Sequence, residues 1–377
     1  MVWTKAKALR EMGYDVHFYY IGINKGFFYD EKRVEESRKI WGEKLNVFKD
    51  YRKNLFMAPV HPCSFVQRVR QKILFTFKAN RFYTNDVDDF YDPAMNVHLL
   101  ELHQKENFDV AYVNYVFFSK ALEIFPESVL KIIDTHDIFG NRHKAFQERG
   151  LSNSWFSLTP KSEIKGLNRA DIVVAVQENE ADYLKQKIKP KVSVIGPLLK
   201  DFGQLTEAPF KHSVLYVAHN TKSNLNAFNF FFDEVFPKMR PEFPDLKIFL
   251  AGQICEVVED HEAIEKLGRV EELKDAYEKA AIVINPVLIG TGIKIKTLEA
   301  LSFGKPLVTT SVGADGLEDG IDSAFLADDT PEGFTDKLSG LMKNSAAQAD
   351  LGKRGNVYFK KYTAQHLETL RLCMERF

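Results

Sequence analysis

The residues with the most obvious chemical potential lie between Pro286 and Pro306, in PVLIGTGIKIKTLEALSFGKP. Gly290 and Gly292 stand between an apolar β-branched run and a helical pattern. Absent side chains there let backbone N–H groups approach a ligand at the positive end of a helix. Lys294 and Lys296 follow in what reads as the first turns, where positive charge opposes the macrodipole unless an anion meets it. Glu299 falls three residues after Lys296 and so on the same face, and a carboxylate beside a phosphate site is an acceptor for ribose hydroxyls. Gly-x-Gly alone would read equally as a tight turn flanked by solvated lysines. Two lysines and a glutamate in register favour a nucleoside diphosphate site, with Gly290, Thr291 and Gly292 as its backbone cradle.

A second group, Asp134-Thr-His-Asp-Ile-Phe-Gly-Asn-Arg142, follows an apolar strand directly. That spacing puts His136 and Asp137 at the strand's carboxyl end, where open α/β sheets place ligands. His136 reads as a catalytic contact or as a plain loop hydrogen bond, and Arg142 as a phosphate contact or a salt bridge. Asp86-Val-Asp88 has the spacing of a metal-binding Asp-x-Asp pair but lies away from any strand end, and it reads as a solvated acidic turn. Cys63, Cys255 and Cys373 are odd in number and lack zinc-binding spacings, which fits a reduced cytoplasm.

The elements that must carry these residues are strands alternating with helical segments, the pattern of parallel sheets covered on both faces. The predicted strands are Val16–Ile21, Val110–Val113, Lys131–Asp134, Ile172–Val176, Val192–Ile195, Val214–Val217, Lys247–Ala251, Ala281–Ile284 and Leu307–Thr310. Helical spacing is read for Ile264, Leu267 and Leu273 to Tyr277. A break at Gly196–Phe210 separates two strand–helix series, giving an α/β chain of two doubly wound, Rossmann-like domains: 1–200, with a helical insertion at about 22–107, and 210–356. Leu351–Phe377 reads as a long helix broken near Tyr362-Thr363, its portion 357–377 crossing back to the first domain. Inside the insertion, helices are expected near Glu31–Trp41, Phe65–Phe77 and Met95–Gln104. The chain opens on an amphipathic helix, Met1 to Gly13, where a doubly wound domain places a strand first. The first N-terminal strand is therefore expected to be missing from this sequence.

With 51 Lys and Arg against 52 Asp and Glu, the net charge of −1 provides no global field for nucleic acid or an anionic membrane. No apolar run approaches the ~20 residues of a membrane helix, and no signal peptide is read at the start. Residues 65–81 carry a local exception: Phe65, Val69, Ile73 and Phe77 repeat every four residues, interleaved with Arg68, Arg70, Lys72, Lys78 and Arg81. That pattern is a surface helix packed on the domain, or a basic amphipathic helix lying on an anionic membrane. A cytoplasmic protein, peripheral at the inner face of the plasma membrane in the second case, is the expectation.

The C-terminal half resembles the donor domain of family 4 glycosyltransferases, which are retaining and have the GT-B fold. The resemblance is carried by residues 290–300 (GTGIKIKTLEA), 303–306 (FGKP), 311–317 (SVGADGL), 267–273 (LGRVEEL) and 224–227 (NLNA). It implies that Glu299 is the second carboxylate of a Glu-x7-Glu motif and binds the ribose. The first carboxylate's place is taken by Thr291, as in variants with Gly-x-Gly-x-Lys-x-Lys, where the lysines bind the diphosphate. It also implies that Val270 lies near the base, Gly313 near the sugar, and that Lys222 and Asn224 line the loop after the first donor-domain strand. In the N-terminal half, His136 would face the reacting carbon, with Glu163 structural. The implied activity is metal-independent sugar transfer, with retention, from a UDP-, GDP- or dTDP-sugar to a glycan or lipid-linked hydroxyl, in bacterial surface polysaccharide synthesis. Catalysis would fall to His136, Lys294 and Lys296, with closure of an interdomain cleft as its gate. A sugar-nucleotide epimerase of the same fold and a donor-binding inactive subunit are the alternatives.

Overall fold

Every strand of the computed structural model pairs parallel to its neighbours. The structure describes residues 2–23, 31–50, 85–144, 157–203, 208–290 and 292–375. Two units emerge: Met1–Ile195 with Thr369–Phe377, and Gly196–Glu368.

In the first unit, β1 (Phe18–Ile23) and β2 (Leu45–Asp50) form one sheet, and β3 (Val110–Asn114), β4 (Leu130–Asp134), β5 (Ile172–Ala175) and β6 (Lys191–Val194) form a second, in that order. β1 and β3 thus belong to different sheets. The crossover from β1 to β2 contains the helix Glu31–Trp41, which places Trp41 against Phe18 with ring centroids 5.1 Å apart and Trp3 of the helix Val2–Glu11 at 5.5 Å from Phe18. β2 corrects the reading of an insertion without strands. Its six residues, LNVFKD, are too short and too charged at one end for a β signal, and pairing with β1 supplies what propensity does not. The expected helix near Met95 is present as Met95–Glu106. Residues 65–81, with Cys63 and the expected helix at Phe65–Phe77, lie outside the described residues.

The second unit is one six-stranded sheet in the order β12-β11-β10-β7-β8-β9, made of β7 (Phe210–Val217), β8 (Lys247–Ala251), β9 (Ile264–Gly268), β10 (Ala280–Asn285), β11 (Leu307–Thr309) and β12 (Leu326–Ala327). Alternation along the strands divides its core in two. Val214, Tyr216, Ile248, Leu250, Ile282 and Ile284 face a cluster filled by Phe228, Phe230, Phe231 and Phe236. Leu215, Phe249, Ala251 and Val283 face the helices carrying Tyr277, Leu298 and Leu301. The phenylalanine run is core: the helix Lys222–Asn229 passes through a π-helical turn, Phe230–Val235, into Phe236–Met239. β9 corrects the helical reading of Ile264 and Leu267. IEKLG is an edge strand whose apolar residues are spaced three apart, a spacing that a helix shares. The C-terminal helix, Ser345–Met374, is continuous, so the expected break near Tyr362-Thr363 is absent; Tyr362 and His366, one turn apart, meet edge-to-face with ring centroids 4.2 Å apart across that point.

Gly252, after β8, has a φ of +95°, and a Cβ added there would lie 2.4 Å from the Ala218 carbonyl oxygen, whereas Gly13 has a φ of +94° and open space around it. Replacing Gly13 by alanine should cost about 1–2 kcal/mol, the left-handed penalty alone, and Gly252→Ala about 2–4 kcal/mol. Equal shifts of the two urea midpoints would show that the β7–β8 exit is not closely packed.

Candidate functional site

The strand order of the second unit reverses between β7 and β10, so the loops leaving these two strands diverge and open a crevice at their carboxyl ends. The β7 exit leads through Thr221, whose hydroxyl caps the helix Lys222–Asn229 by accepting from Asn224 N. The β10 exit runs through Gly290 and Gly292 to the helix Ile295–Ser302, whose N-cap, Lys294, makes no side-chain cap. The first N–H groups of that helix are thus available to an anion. The two exits are joined twice. Ser223 Oγ donates to Ile289 O at 3.0 Å, and Lys296 Nζ donates to Asn224 Oδ1 at 2.8 Å while lying 5.1 Å from the centre of the Tyr216 ring. Burial holds the Lys296 ammonium down to about 8, against the pull of Glu299. Glu299 is itself pushed up by burial, opposed by the Tyr277 hydroxyl that donates to it at 3.2 Å and by Lys296.

Lys222, Asn224, Gly290, Gly292 and Lys296 lie at the neighbouring exits of β7 and β10. Lys294 differs from its expected place. It is the N-cap rather than a first-turn residue, and its ammonium reaches the Gly292 carbonyl and lies 3.7 Å from Asp315 Oδ2. Gly313 has a packing reason of its own: a Cβ there would lie 1.9 Å from Thr309 Oγ1, and its carbonyl accepts from Thr297 Oγ1 at 2.7 Å. Val270 follows the β9 exit and is half-buried against the second core cluster. Lys222 is exposed. Thr291 lies outside the described residues.

The first unit presents a separate arrangement at the exits of β3 and β4. Tyr115 and His136, one residue past β3 and two past β4, both adopt positive φ, 68° and 59°, and their rings lie tilted against each other with centroids 4.4 Å apart. Two non-glycine residues in that region, each costing about 1–3 kcal/mol, mark a place where the surroundings impose the backbone. His136 Nε2 is 2.9 Å from Asn114 Oδ1. Burial lowers the imidazole to about 4, despite the raising influence of Asp134. The loop after His136 is fixed by Glu163, whose two carboxylate oxygens accept from Phe139 N at 2.6 Å and Gly140 N at 3.0 Å. Burial pushes the Glu163 carboxyl up to about 7, opposed by those two backbone bonds. Arg142 is a salt-bridge residue, 2.8 Å from Asp137 Oδ2. Asp88 of the acidic turn is ion-paired rather than solvated, held by Arg169 at 2.6 Å and Lys165 at 2.8 Å. Among the described residues, no group of three metal-binding side chains occurs, and no helix is long and apolar enough to cross a membrane.

Residues 211–344 match the family described as Glycosyl transferases group 1. The whole chain superimposes on a mutant of Staphylococcus aureus TarM in complex with fondaparinux, alpha-GlcNAc-glycerol and UDP, with a TM-score of 0.66 at 12% identity, covering 100% of this chain and 97% of that one. Sucrose-phosphate synthase from Thermosynechococcus elongatus gives 0.59 at 14% identity over 98% and 91%. The fold is GT-B. A 44.6 kDa uncharacterized protein in the cps region of Klebsiella pneumoniae is 32% identical over 129 residues, which are 29% of this chain and 33% of that protein. This chain thus spans about a third of the length of the curated relative it matches.

Within the GT-B frame, sequence reasoning missed Tyr115, Asn114 and Lys5, which all approach the β4 exit. None belongs to the Asp134–Arg142 segment; the signal that could have found Lys5 is a lysine on the apolar face of an amphipathic helix, one turn from Val2 and Leu9. Glu163→Ala strips the acceptors from two N–H groups in a buried loop and should cost about 2–4 kcal/mol, read as a shift of the urea midpoint. A loss under about 1 kcal/mol would show that the histidine loop does not rest on this carboxylate.

Proposed function

We propose that the protein is a retaining, metal-independent glycosyltransferase that moves a sugar from a nucleotide-sugar donor to a glycan or lipid-linked hydroxyl. The observation that carries this reading is the joining of Lys296 to Asn224 across the β7 and β10 exits, beside the uncapped N-terminus of the helix Ile295–Ser302. An ammonium held by burial near 8 gains most from a dianionic partner, and a diphosphate placed over the helix start is that partner. The group 1 match over residues 211–344 supports a sugar-nucleotide donor, and the UDP in the TarM complex is consistent with it. The cps-region relative supports a place in surface-polysaccharide synthesis.

In this reading Lys294, Lys296 and the helix N–H groups stabilise the leaving diphosphate, with Gly290, Thr291 and Gly292 as the backbone cradle. Glu299 accepts the ribose hydroxyls, while Lys222 and Asn224 line the approach from β7. Val270 and Gly313 border the base and the sugar. The anomeric C–O bond breaks with its electron pair going to the diphosphate oxygen. The acceptor hydroxyl then attacks on the same face, its proton passing to that leaving oxygen. His136 contacts the sugar as a neutral imidazole. The donor is a UDP-, GDP- or dTDP-sugar. The enzyme works in the cytoplasm, and residues 65–81 bring it to the inner face of the membrane where lipid-linked acceptors are met.

Thermal shift with UDP, GDP, dTDP and inorganic diphosphate, each with EDTA or magnesium, should give stabilisation by one nucleotide that is independent of the metal. No shift with any nucleotide would overturn the reading. Binding also has a pH signature. Lys296 is protonated in both free and bound protein well below pH 8; above it, the free ammonium loses its proton while the anion-bound form keeps it. Diphosphate affinity measured by calorimetry should therefore fall as pH rises from 7 to 9, by up to about tenfold per unit above the free value. Lys296→Met should bind at least tenfold more weakly at pH 7 and lose that slope.

A further inference from the structure

His136 is enclosed, its side chain 2% exposed, and behind it lies a fully buried carboxylate: Asp134 Oδ2 is 3.8 Å from His136 Nε2. The same carboxylate oxygen accepts from Lys5 Nζ at 2.7 Å and from the Tyr112 hydroxyl at 2.9 Å. Lys5 also donates to the Ile195 carbonyl at 2.9 Å and is itself 2% exposed, a rare condition for a lysine. On the other side, His136 Nε2 meets Asn114 Oδ1 at 2.9 Å. An amide oxygen only accepts, so Nε2 carries the proton and Nδ1 keeps its lone pair; buried Nδ1 has no hydrogen-bond partner among the described residues. The Tyr115 ring closes one face. Asp137 and Arg142, next along the loop, are paired with each other.

An unbalanced carboxylate this close to an imidazole in a dry site would draw a second proton onto the ring. We propose that Lys5 is a positioning residue for His136: its ammonium balances the Asp134 charge, so that the imidazole stays neutral with its Nε2 proton on Asn114 and its Nδ1 unprotonated. The helix Val2–Glu11 then contributes to the site without touching substrate. Burial sets the direction by lowering the imidazole, Asp134 opposes it, and Lys5 offsets Asp134. Asp134 stays ionised for the complementary reason: burial alone would raise it, but Lys5, His136 and the Tyr112 hydroxyl bring it below its ordinary value. The inference rests on the reading of His136 as a substrate contact.

The test is a ¹³C-histidine NMR titration of the full chain without substrate, with the His136 signal identified by its loss in His136→Gln. In the native protein His136 should remain neutral, with the Nε2-H tautomer, from pH 8 down to 5.5. Lys5→Met should raise its midpoint by at least one unit, since a balancing positive charge is gone. The double variant Lys5→Met/Asp134→Asn removes the buried pair as a unit, a change that proteins tolerate better than loss of one partner, and should restore the neutral ring. A folded Lys5→Met protein with an unmoved His136 would overturn the proposal. If Lys5→Met does not fold, the double variant decides, and a ring that charges above pH 5.5 in it would also overturn the proposal. Sugar transfer by His136→Gln is the separate arm: unchanged transfer there would remove the substrate-contact reading and leave the charge balance standing.

Discussion

A parallel strand cannot be followed at once by its neighbour; the chain must cross back over the sheet, usually through a helix, before it can pair again. That constraint sends every strand exit to one edge and every strand entry to the other. In the second unit it brings the β7, β9, β10 and β11 exits together although they are scattered over a hundred residues of sequence, and the reversal of order between β7 and β10 parts two of them. Lys296 and Asn224 meet only because of this arrangement. The same constraint in the first unit sets Asn114, Tyr115 and His136 side by side at the ends of adjacent strands.

Holding these exits in useful shapes has a cost that the surrounding structure bears. Tyr115 and His136 are kept at positive φ, and the bonds that hold them come from elsewhere in the chain: Tyr115 N donates to Asp134 O at 2.8 Å, and Glu163, on the helix Pro160–Leu167, ties down Phe139 and Gly140. Glu163 is placed by its own local chemistry, with Pro160 at the first helical position and the Thr159 hydroxyl accepting from Ser162 N. The loop after His136 is therefore held by a carboxylate distant in sequence, Glu163, rather than by its own side chains alone.

Long, buried, β-branched runs such as Ile172–Ala175 and Ala280–Asn285 were legible from the residues, because strands covered on both faces are apolar throughout. Leu45–Asp50 and Ile264–Gly268 were not. Both are edge strands that carry charged residues, so only their partners reveal them. The cluster around residues 290–299 was legible because its chemistry is local in sequence. The surroundings of His136 were not, since Lys5 is 129 residues from Asp134 and Asn114 is 22 from His136. The run through Tyr362-Thr363 reads as a break because Tyr-Thr is a weak helix pair, yet the helix runs on through it, with Tyr362 meeting the His366 ring edge-on.

The make-up of the first unit has a bearing on how the chain is born. Thr369–Phe377 belong with Met1–Ile195, and within them Leu370, Cys373 and Met374 are buried. On the ribosome, residues Met1–Ile195 emerge first and must wait for the whole of Gly196–Glu368 to be made before this last piece arrives. At about 5–20 residues per second that interval is roughly ten to thirty seconds. The first unit, begun earlier, is thus completed only after the second has been made.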